Sequence, residues 1–210
     1  MEEQIHLIDH PLLQHKLCQL RDQNTGVKDF RECVEEMSSL LCYEATRHLP
    51  LKEKNIQTPF GPITAREIDD KALAVVAILR AGVGMLGGVL SVLPSVKIGH
   101  IGLYREAKTH QLVEYYCKMP TDIASREVLI LEPLLARGET ASAAISMIKN
   151  YSCRHISFLT LVASREAVER LSKDHPDVAL YCAAIDEDVN EDGYIVPGVG
   201  DAGDRIFGTK

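Results

Sequence analysis

The sequence predicts an α/β fold, in which a mostly parallel sheet is flanked by helices, with an N-terminal helical part and a C-terminal hood. Three observations carry this prediction. Short apolar segments rich in β-branched residues alternate with amphipathic segments between residues 72 and 184. Two helical patterns precede the first strong strand, and a stretch rich in Gly and Asp follows the last. Strands that alternate with helices imply parallel pairing and helices on both faces of the sheet.

The N-terminal part is predicted to contain two helices. Pro11 suits a first helical turn, and leucines recur at roughly helical spacing from there to Asp22. A longer helix is expected from about Lys28 to His48, where an apolar stripe continues for several turns. Pro50 ends this region, and the turn residues at 58–62 indicate a turn or a short hairpin.

The central part is predicted to alternate strands with helices, and ligands bind at the carboxyl ends of the strands in such sheets. No internal repeat or linker interrupts the chain, so residues 1–210 are predicted to form a single domain. The strands are predicted at 72–79, 97–103, 128–131, 156–163 and 178–184, and the helices near 83–92, 140–150 and 165–174.

The composition excludes several classes of function. There are 23 Lys and Arg against 30 Asp and Glu, so the net charge of -7 argues against a nucleic-acid partner, although a local basic cluster is enough for a small anion. The longest apolar run is far short of a membrane span, and the acidic N-terminus lacks the features of a signal peptide. The six cysteines have no zinc-ligand spacing. We therefore expect a cytoplasmic protein with reduced thiols and no membrane partner.

One stretch, from Arg126 to Asn150, predicts an anion site. Its apolar start reads as a buried strand, Gly138 allows a tight turn, and Thr140 is predicted to cap the helix that follows. A strand, a short loop and a helix leave backbone N–H groups free to face an anion, and Glu132 at the strand end can hold ribose hydroxyls. The alternative is an ordinary connection between a strand and a helix.

Two arginines also follow predicted strands. Arg80 is followed by Ala-Gly, which allows the backbone close to a ligand, and an arginine there suits a pyrophosphate. Alone it is equally consistent with an ion-paired residue at the rim. Arg105 ends the next strand, and the polar segment at 106–120 is interpreted as a lid or a hairpin arm.

The glycines at 82, 84 and 87 match the dinucleotide fingerprint, and Glu106 stands near where a ribose-binding acid is expected. Two features argue against a nicotinamide cofactor: Arg80 intrudes at the strand end, and about seventy residues precede the motif. The alternative is that these glycines permit tight turns and close packing. The histidines at 10, 15, 48 and 175 are predicted to be surface or capping residues. No serine stands in a nucleophile elbow, so covalent catalysis has no support.

Three segments together resemble the uracil phosphoribosyltransferase family. They are ILRAG at 78–82, the loop at 132–140 and YIVPGVGDAGDRIFGTK at 194–210, and the resemblance extends from His10 to Lys210. The resemblance implies a type I phosphoribosyltransferase fold and a role in pyrimidine salvage. In that reaction, uracil and phosphoribosyl pyrophosphate give UMP and pyrophosphate, with Mg²⁺ bound mainly through phosphoribosyl pyrophosphate and with no protein metal site. It also implies a homodimer or a higher homo-oligomer, and it leaves open whether GTP is an effector.

The resemblance implies a role for each matching residue. Arg80 and Arg105 correspond to contacts on the pyrophosphate side, and backbone groups at Ile195 and 200–202 correspond to contacts with uracil. Fixed backbone donors and acceptors suit a planar base, because they reject a base that leaves them unpaired. Asp201 and Glu132 are implied to be catalytic. The phosphoribosyl pyrophosphate contacts are Arg80, Arg105, Glu132, Pro133, Leu134, Leu135, Ala136, Arg137, Gly138, Glu139, Thr140 and Asp201, and the uracil contacts are Ile195, Gly200, Asp201 and Ala202.

The loop at 132–140 departs from the family pattern, which resembles Asp-Pro-Met-Leu-Ala-Thr-Gly-Gly-Ser. Glu139 replaces a glycine, and a carboxylate about 5 Å from a phosphate charge costs ~3 kcal/mol at an effective dielectric constant of about 20. Arg137 replaces a small hydroxyl residue and is expected to offset this cost, either by pairing with Glu139 or by contacting the phosphate. These departures leave an alternative open: a family member that lacks efficient catalysis and acts as a uracil- or nucleotide-binding regulatory protein.

Overall fold

The computed structural model describes residues 4–69, 73–106 and 112–209. Helices and strands alternate through the centre of the chain, as predicted. The helices are α1 (Pro11–Arg21), α2 (Val27–Ala45), α3 (Val83–Val92), α4 (Glu139–Asn150), α5 (Arg165–Asp174) and α6 (Ala202–Phe207). The strands are β1 (Ile5–Leu7), β2 (Leu51–Thr58), β3 (Gly61–Ile68), β4 (Leu73–Leu79), β5 (Lys97–Arg105), β6 (Leu112–Lys118), β7 (Glu127–Leu131), β8 (Leu134–Leu135), β9 (Ile156–Ser164), β10 (Ala179–Asp186), β11 (Asp188–Val189) and β12 (Ile195–Val196).

The main sheet has the order β1-β10-β9-β7-β4-β5-β6, and the short β8 also pairs with β9. Every neighbouring pair in it is parallel except β5 and β6, which form an antiparallel edge. The prediction of a mostly parallel sheet is therefore confirmed. The antiparallel edge also confirms that Leu112–Lys118, within the segment at 106–120, forms a hairpin arm; residues 107–111 lie outside the described residues.

Helices cover both faces of this sheet. Val75 and Leu129 contribute to a core with α1 and α2, whereas Val76 and Ile130, one position along each strand, contribute to a core with α4 and α5. All nine residues of β9 are buried, which explains its predominantly apolar sequence. The sheet is thus held from both sides, and its carboxyl edge is left for loops.

The turn or short hairpin predicted at 58–62 is present, but its strands β2 and β3 have eight residues each and are longer than expected. Strand β1, of three residues, was not predicted. The hairpin carries mostly exposed side chains, with Phe60 fully exposed at its tip, so its sequence lacks the buried alternation of a sheet strand. The stretch rich in Gly and Asp after Asn190, expected to form the C-terminal hood, also contains β12 and α6.

None of the described helices combines the length and the apolar character that crossing a membrane requires.

Candidate active site

The loops after β4 and β7 meet at the carboxyl edge of the sheet. Ala77 pairs with Leu131, so Arg80 and Glu132 follow two adjacent parallel strands. A Cβ on Gly82 would lie 2.3 Å from the carbonyl oxygen of Leu131. Only glycine permits this approach of the two loops, which supports the packing interpretation of the glycine motif over dinucleotide binding.

Arg80 lies between this edge and the C-terminal helix. Its side chain is 62% exposed, and its Nη2 lies 3.9 Å from Asp204 Oδ1. Its guanidinium carbon lies 5.8 Å from the ring centroid of Phe207. The peptide between Leu79 and Arg80 is cis. Arg80 is thus a cationic, largely solvated side chain at the mouth of the site, whereas the side chain of Arg105 lies outside the described residues.

The loop at 132–140, called the phosphate loop below, is held from beneath by β9. The N–H of Glu132 donates to Leu159 O at 3.2 Å, and Pro133 O accepts from the N–H groups of Leu161 and Val162. Leu134 and Leu135 then pair with β9 as β8. These contacts with β9 therefore fix the backbone of the first half of the phosphate loop where it leaves β7.

The second half of the phosphate loop rests on α5. Ser164 Oγ donates to Ala136 O and accepts the N–H of Ala167, so one buried hydroxyl holds the loop and caps α5. Gly138 has φ 75°, and a Cβ there would lie 3.0 Å from Leu171. Gly138 thus fits a left-handed turn pressed against α5, as the sequence indicated.

The prediction that Thr140 caps the following helix is wrong. α4 begins at Glu139, and Gly138 is the cap residue, without a side-chain hydrogen bond. A Thr140 cap would put the first helical residue at Ala141, whereas the left-handed turn at Gly138 starts the helix two residues earlier. Glu139 therefore occupies the first helical turn, where its negative charge is favourable to the helix dipole.

Glu132 lines a cavity of about 310 Å³ together with Leu134 to Ala141, Asp192 and Gly193. Part of the residue faces the cavity, yet burial raises the pKa of its carboxyl to about 8. Within the described residues, no hydrogen bond or ion pair reaches this carboxyl group. At neutral pH the free protein thus holds Glu132 mainly as the uncharged acid, which does not repel an anion.

The hood, residues 188–201, forms the opposite wall. β11 and β12 pair antiparallel, with Val189 opposite Ile195, and Ile195 is buried. Val196 and Pro197 are joined by a cis peptide. Behind this turn, Arg21 donates to Gly198 O at 2.9 Å, and the N–H of Gly198 donates to Asp186 Oδ2 at 2.9 Å. The hood is therefore fixed to α1 and to the end of β10.

Helix α6 is attached to the N-terminal helices by two further arginines. Arg205 Nη1 donates to Leu20 O at 2.7 Å and to Val199 O at 2.8 Å, and its guanidinium lies 4.2 Å from the ring centroid of Phe30. Arg31 Nε donates to Ile206 O at 2.6 Å. The predicted N-terminal helical part therefore serves to hold the hood, a role that its sequence did not reveal.

The predicted uracil contacts lie where the hood enters α6. Asp201 caps this helix: its Oδ1 accepts the N–H of Asp204 at 2.9 Å. The N–H groups of Ala202 and Gly203 have no hydrogen-bond partner in the described part of the chain, so they are available to a ligand. Gly200 and Asp201 also line a cavity of about 540 Å³. A Cβ on Gly203 would lie 3.2 Å from Asp201 Oδ1 and 4.0 Å from Arg80 Nη2, so the two functional side chains flank one glycine.

Arg137 joins the two walls in a way that the sequence did not predict. Its Nη2 donates to Asn190 O at 3.2 Å and to Glu191 O at 3.3 Å. The guanidinium therefore contacts hood carbonyls and not the Glu139 carboxylate that was considered as its partner. The two ends of this contact are more than fifty residues apart, and the one available signal was the replacement of a small residue by arginine.

The predicted histidines have structural positions. His10 Nδ1 accepts the N–H of Leu12 and caps α1, as predicted. His175 follows the C-terminus of α5, where it is buried and its Nε2 lies 2.9 Å from Ser142 Oγ. Burial lowers the pKa of His175, and the nearby Lys149 acts in the same direction. His175 is thus a capping residue, but it is not on the surface.

Comparison with known proteins identifies the chain. The family model described as uracil phosphoribosyltransferase matches residues 7–209. The chain belongs to the uracil phosphoribosyltransferase family. A uracil phosphoribosyltransferase of Dictyoglomus thermophilum is 53% identical over 204 residues, which cover 97% of this chain and 99% of that protein. One of Halalkalibacterium halodurans is 51% identical over 206 residues, which cover 98% of this chain and 99% of that protein.

Solved structures agree with this membership. A protein of Aquifex aeolicus superposes with a TM-score of 0.91 at 33% identity, with 97% of each chain covered. A hypoxanthine-guanine phosphoribosyltransferase of Bacillus anthracis superposes with a TM-score of 0.53 at 16% identity, over 76% of this chain and 80% of the other. That second likeness supports the fold alone, which is the type I phosphoribosyltransferase fold expected from the sequence.

Proposed function

We propose that the protein transfers the phosphoribosyl group from phosphoribosyl pyrophosphate to uracil, giving UMP and pyrophosphate in pyrimidine salvage. The observation that carries this proposal is the meeting of three segments at one edge of the sheet. The loop at Arg80, the phosphate loop and the hood have family-like sequences. Arg80 lies beside Asp204 of α6, which follows the hood, and Asp192 and Gly193 of the hood line the cavity of the phosphate loop. Membership of the uracil phosphoribosyltransferase family over nearly the whole chain supports the same reaction.

The two cavities suit the two substrates. The phosphate loop would take the ribose 5'-phosphate, because its backbone turns at Gly138 into the N-terminus of α4, where positive helix-dipole charge faces an anion. The hood would take uracil through backbone groups at Ile195 and at 200–202. Arg80, solvated beside Asp204 of α6, would contact the departing pyrophosphate. Arg105 is proposed for the same role on its sequence position alone.

The chemistry would be mostly positioning and charge stabilisation. Asp201 uses one oxygen to cap α6 and keeps the other for the N1 proton of uracil, as a general base. Glu132, uncharged in the free protein, would admit the anionic substrate and hold the ribose hydroxyls. The bond from C1 of the ribose to pyrophosphate would then break as the bond from C1 to N1 of uracil forms. Arg80 would stabilise the negative charge on the departing pyrophosphate.

The residues present fit a substrate-borne Mg²⁺. The described residues include no cluster of three acidic, His or Cys side chains suited to a metal, whereas Mg²⁺ is commonly held by substrate phosphates, water and one or two carboxylates. Glu132 lines the phosphate cavity and would supply such a carboxylate once it loses its proton beside the bound cation. When bound, Mg²⁺ neutralises part of the charge on pyrophosphate.

The alternative of a catalytically impaired regulatory protein is not favoured. It rested on Glu139, and Glu139 adopts ordinary helical geometry at the start of α4 in place of the family glycine. Relatives that carry the enzyme name match this chain over their full length. The discriminating experiment is conversion of labelled uracil to UMP by purified protein, with Mg²⁺ and a titration of phosphoribosyl pyrophosphate.

Saturable turnover that is lost in Arg80→Ala is the expected result. Arg80→Ala is a suitable negative control because the side chain is mostly exposed, so its loss leaves the fold intact. Uracil binding without turnover in the wild-type protein would instead favour the regulatory alternative. Turnover that survives Arg80→Ala would show that the pyrophosphate assignment is wrong.

A homo-oligomer is proposed from the β2–β3 hairpin. An isolated hairpin of two strands is only marginally stable in water. This hairpin also exposes four apolar side chains, those of Leu51, Ile56, Phe60 and Ile63. Covering these residues with a second copy would bury the apolar surface. Sedimentation of the wild type and of Phe60→Asp with Ile63→Asp tests this: the wild type should sediment as a dimer or larger and the variant as a smaller species. Identical sedimentation of the two would exclude the hairpin as the contact.

The cytoplasm is proposed as the compartment. All six cysteines are free thiols, a state that a reducing compartment maintains. A GTP effector stays an open question, which UMP formation with and without GTP addresses directly.

A further inference from the structure

Arg137 makes contacts that the family loop sequence, with a small hydroxyl residue in its place, does not provide. The guanidinium Nη2 donates to two consecutive hood carbonyls, those of Asn190 and Glu191, at 3.2 and 3.3 Å. The phosphate loop and the hood are otherwise separate walls of one cavity. One side chain therefore ties the wall that faces phosphate to the wall that carries the base contacts.

The hood end of this tie is a rigid turn. The N–H of Asn190 donates to Tyr194 O at 2.9 Å, and the N–H of Gly193 donates back to Asn190 O at 3.0 Å. The N–H of Tyr194 donates to Asn190 Oδ1 at 2.9 Å. Because the turn closes on itself, a displacement at Asn190 moves Tyr194 and hence Ile195, the first residue of the proposed base site.

The other end is rigid as well. Ala136, directly before Arg137, is held by Ser164 Oγ, and Gly138, directly after it, is pressed against α5. The backbone on both sides of Arg137 is therefore fixed, and the side chain transmits position in either direction.

The guanidinium retains donors for a ligand. An arginine has five N–H donors, and the described contacts of Arg137 use only Nη2. Nε and Nη1 have no partner within the described ranges of the chain, and the phosphate loop around them lines the cavity of about 310 Å³. An anion in that cavity can be contacted by Nε and Nη1 while Nη2 keeps its two carbonyl partners.

We propose that Arg137 is a positioning residue that couples the two substrate sites, because it bridges the 5'-phosphate and the hood turn at the same time. The proposal rests on the proposed function and adds a cooperative link to it. Phosphate binding orders the guanidinium, the ordered guanidinium fixes the hood turn, and the fixed turn presents the Ile195 backbone to uracil. By reciprocity, uracil raises the affinity for the phosphate ligand by the same factor.

A merely structural role for Arg137 predicts a different outcome. If it only braces the hood, its loss weakens uracil binding equally whether or not the phosphate site is filled. A coupling residue, in contrast, changes the ratio of the two affinities. A lysine side chain at this position would keep the charge but lacks the planar fork that contacts two groups at once, so Arg137→Lys separates charge from bridging.

The test is calorimetric titration of uracil into the protein, with and without saturating ribose 5-phosphate. This probe carries the 5'-phosphate but cannot react. In the wild type, ribose 5-phosphate should tighten uracil binding by about 5- to 50-fold, within the usual range of coupling between sites. Arg137→Thr and Arg137→Lys should each bring this factor below about twofold. Arg154→Thr is the matched control, since Arg154 is exposed in the loop before β9, at the opposite end of that strand, and should retain the wild-type factor.

A wild-type factor near one, or an unchanged factor in Arg137→Thr, would overturn the proposal. A uracil affinity that falls equally in both conditions would assign Arg137 to bracing alone and would also overturn it. UMP formation by the wild type, measured in parallel, keeps the two proposals apart: turnover with no coupling refutes only the role of Arg137. Absence of both uracil binding and turnover refutes the proposed function and, with it, the coupling.

Discussion

Arg21 and Asp186 form a two-pronged ion pair, with Nη1 to Oδ2 at 2.8 Å and Nη2 to Oδ1 at 2.7 Å, and both side chains also bind Gly198 of the hood. Burial disfavours the charge on Asp186, but the hydrogen bonds from Arg21 and from the Gly198 amide outweigh it and lower the pKa of Asp186. The pair therefore connects α1, the end of β10 and the hood through one ionised carboxylate.

Asp186→Ala should lower the free energy of unfolding at pH 7 by on the order of 3 kcal/mol, since it leaves a half-buried guanidinium without its partner. It should also raise KM for uracil, because Gly198 loses an anchor.

The effect of Asp186 should depend on pH. A folded-state pKa that is lowered contributes stability above the unfolded-state pKa, and this contribution is lost as pH falls through the folded-state pKa. Urea unfolding at pH 7 and in acid should therefore show that the difference in free energy of unfolding between wild type and variant becomes smaller in acid. Asp188→Asn, an exposed neighbour, is the control and should change neither quantity; a similar loss there would contradict this assignment.

Asp201→Asn should separate the two roles of Asp201. Asparagine caps a helix about as well as aspartate, so the thermal midpoint should stay within about 2 °C of the wild type. The carboxylate that takes the N1 proton is lost, so kcat should fall by roughly 10²- to 10⁴-fold. Asp201→Ala, which removes the cap as well, should lower both stability and kcat. Full turnover in Asp201→Asn, measured as UMP formation, would exclude Asp201 as the base.

Glu132→Gln should be more stable than the wild type in alkaline solution. The folded protein raises the pKa of Glu132 to about 8, from an ordinary value near 4.5, so the folded state binds the proton more tightly than the unfolded state. Below the unfolded-state pKa, Glu132 is protonated in both states and burial of its charge costs the wild type nothing. As pH rises from there toward 8, the free energy of unfolding of the wild type falls by on the order of a few kcal/mol. Denaturant unfolding at pH 5 and pH 8.5 should show that the free energy of unfolding of the variant exceeds that of the wild type by an amount that grows with pH. An equal gap at both pH values would mean that Glu132 is ionised throughout.

Glu139→Gln should lower KM for phosphoribosyl pyrophosphate by roughly tenfold, since it removes a charge that repels phosphate at the start of α4. The same change weakens a favourable interaction with the helix dipole, so stability should fall by about 0.3–1 kcal/mol. Asp29→Asn, in the first turn of α2, is the matched control: a similar loss of stability is expected with no change in KM. A raised KM in Glu139→Gln would show that the loop already uses the carboxylate.

The sequence was sufficient for the parts of the fold that are buried and periodic. The strands that became β4, β7 and β9 are predominantly apolar because both faces are covered, and such segments are visible without a structure. The β2–β3 hairpin was underestimated because its side chains face solvent and so lack that pattern. Arg80, Arg105 and Glu132 were likewise predicted from their positions at strand ends, whereas the hood residues were predicted from the family resemblance.

Relationships across the site could not be predicted in the same way. The contact from Arg137 to Asn190 depends on where the hood turn lies in space, and no local pattern encodes it. The raised pKa of Glu132 depends on the neighbours that exclude water from its carboxyl. The shift of the α4 cap from Thr140 to Gly138 follows from the left-handed turn at Gly138, which propensity alone does not locate.

The contact between Gly82 and the carbonyl of Leu131 constrains how this protein can be re-engineered. Saturation mutagenesis at position 82 should yield inactive clones for every substitution, since even alanine would force the loops after β4 and β7 apart. A library that seeks acceptance of other bases therefore gains nothing from randomising the glycine motif, however close it lies to the substrate. Diversity is better directed to the hood, where the side chains of Tyr194 and Val196 are exposed and can vary without moving the two loops.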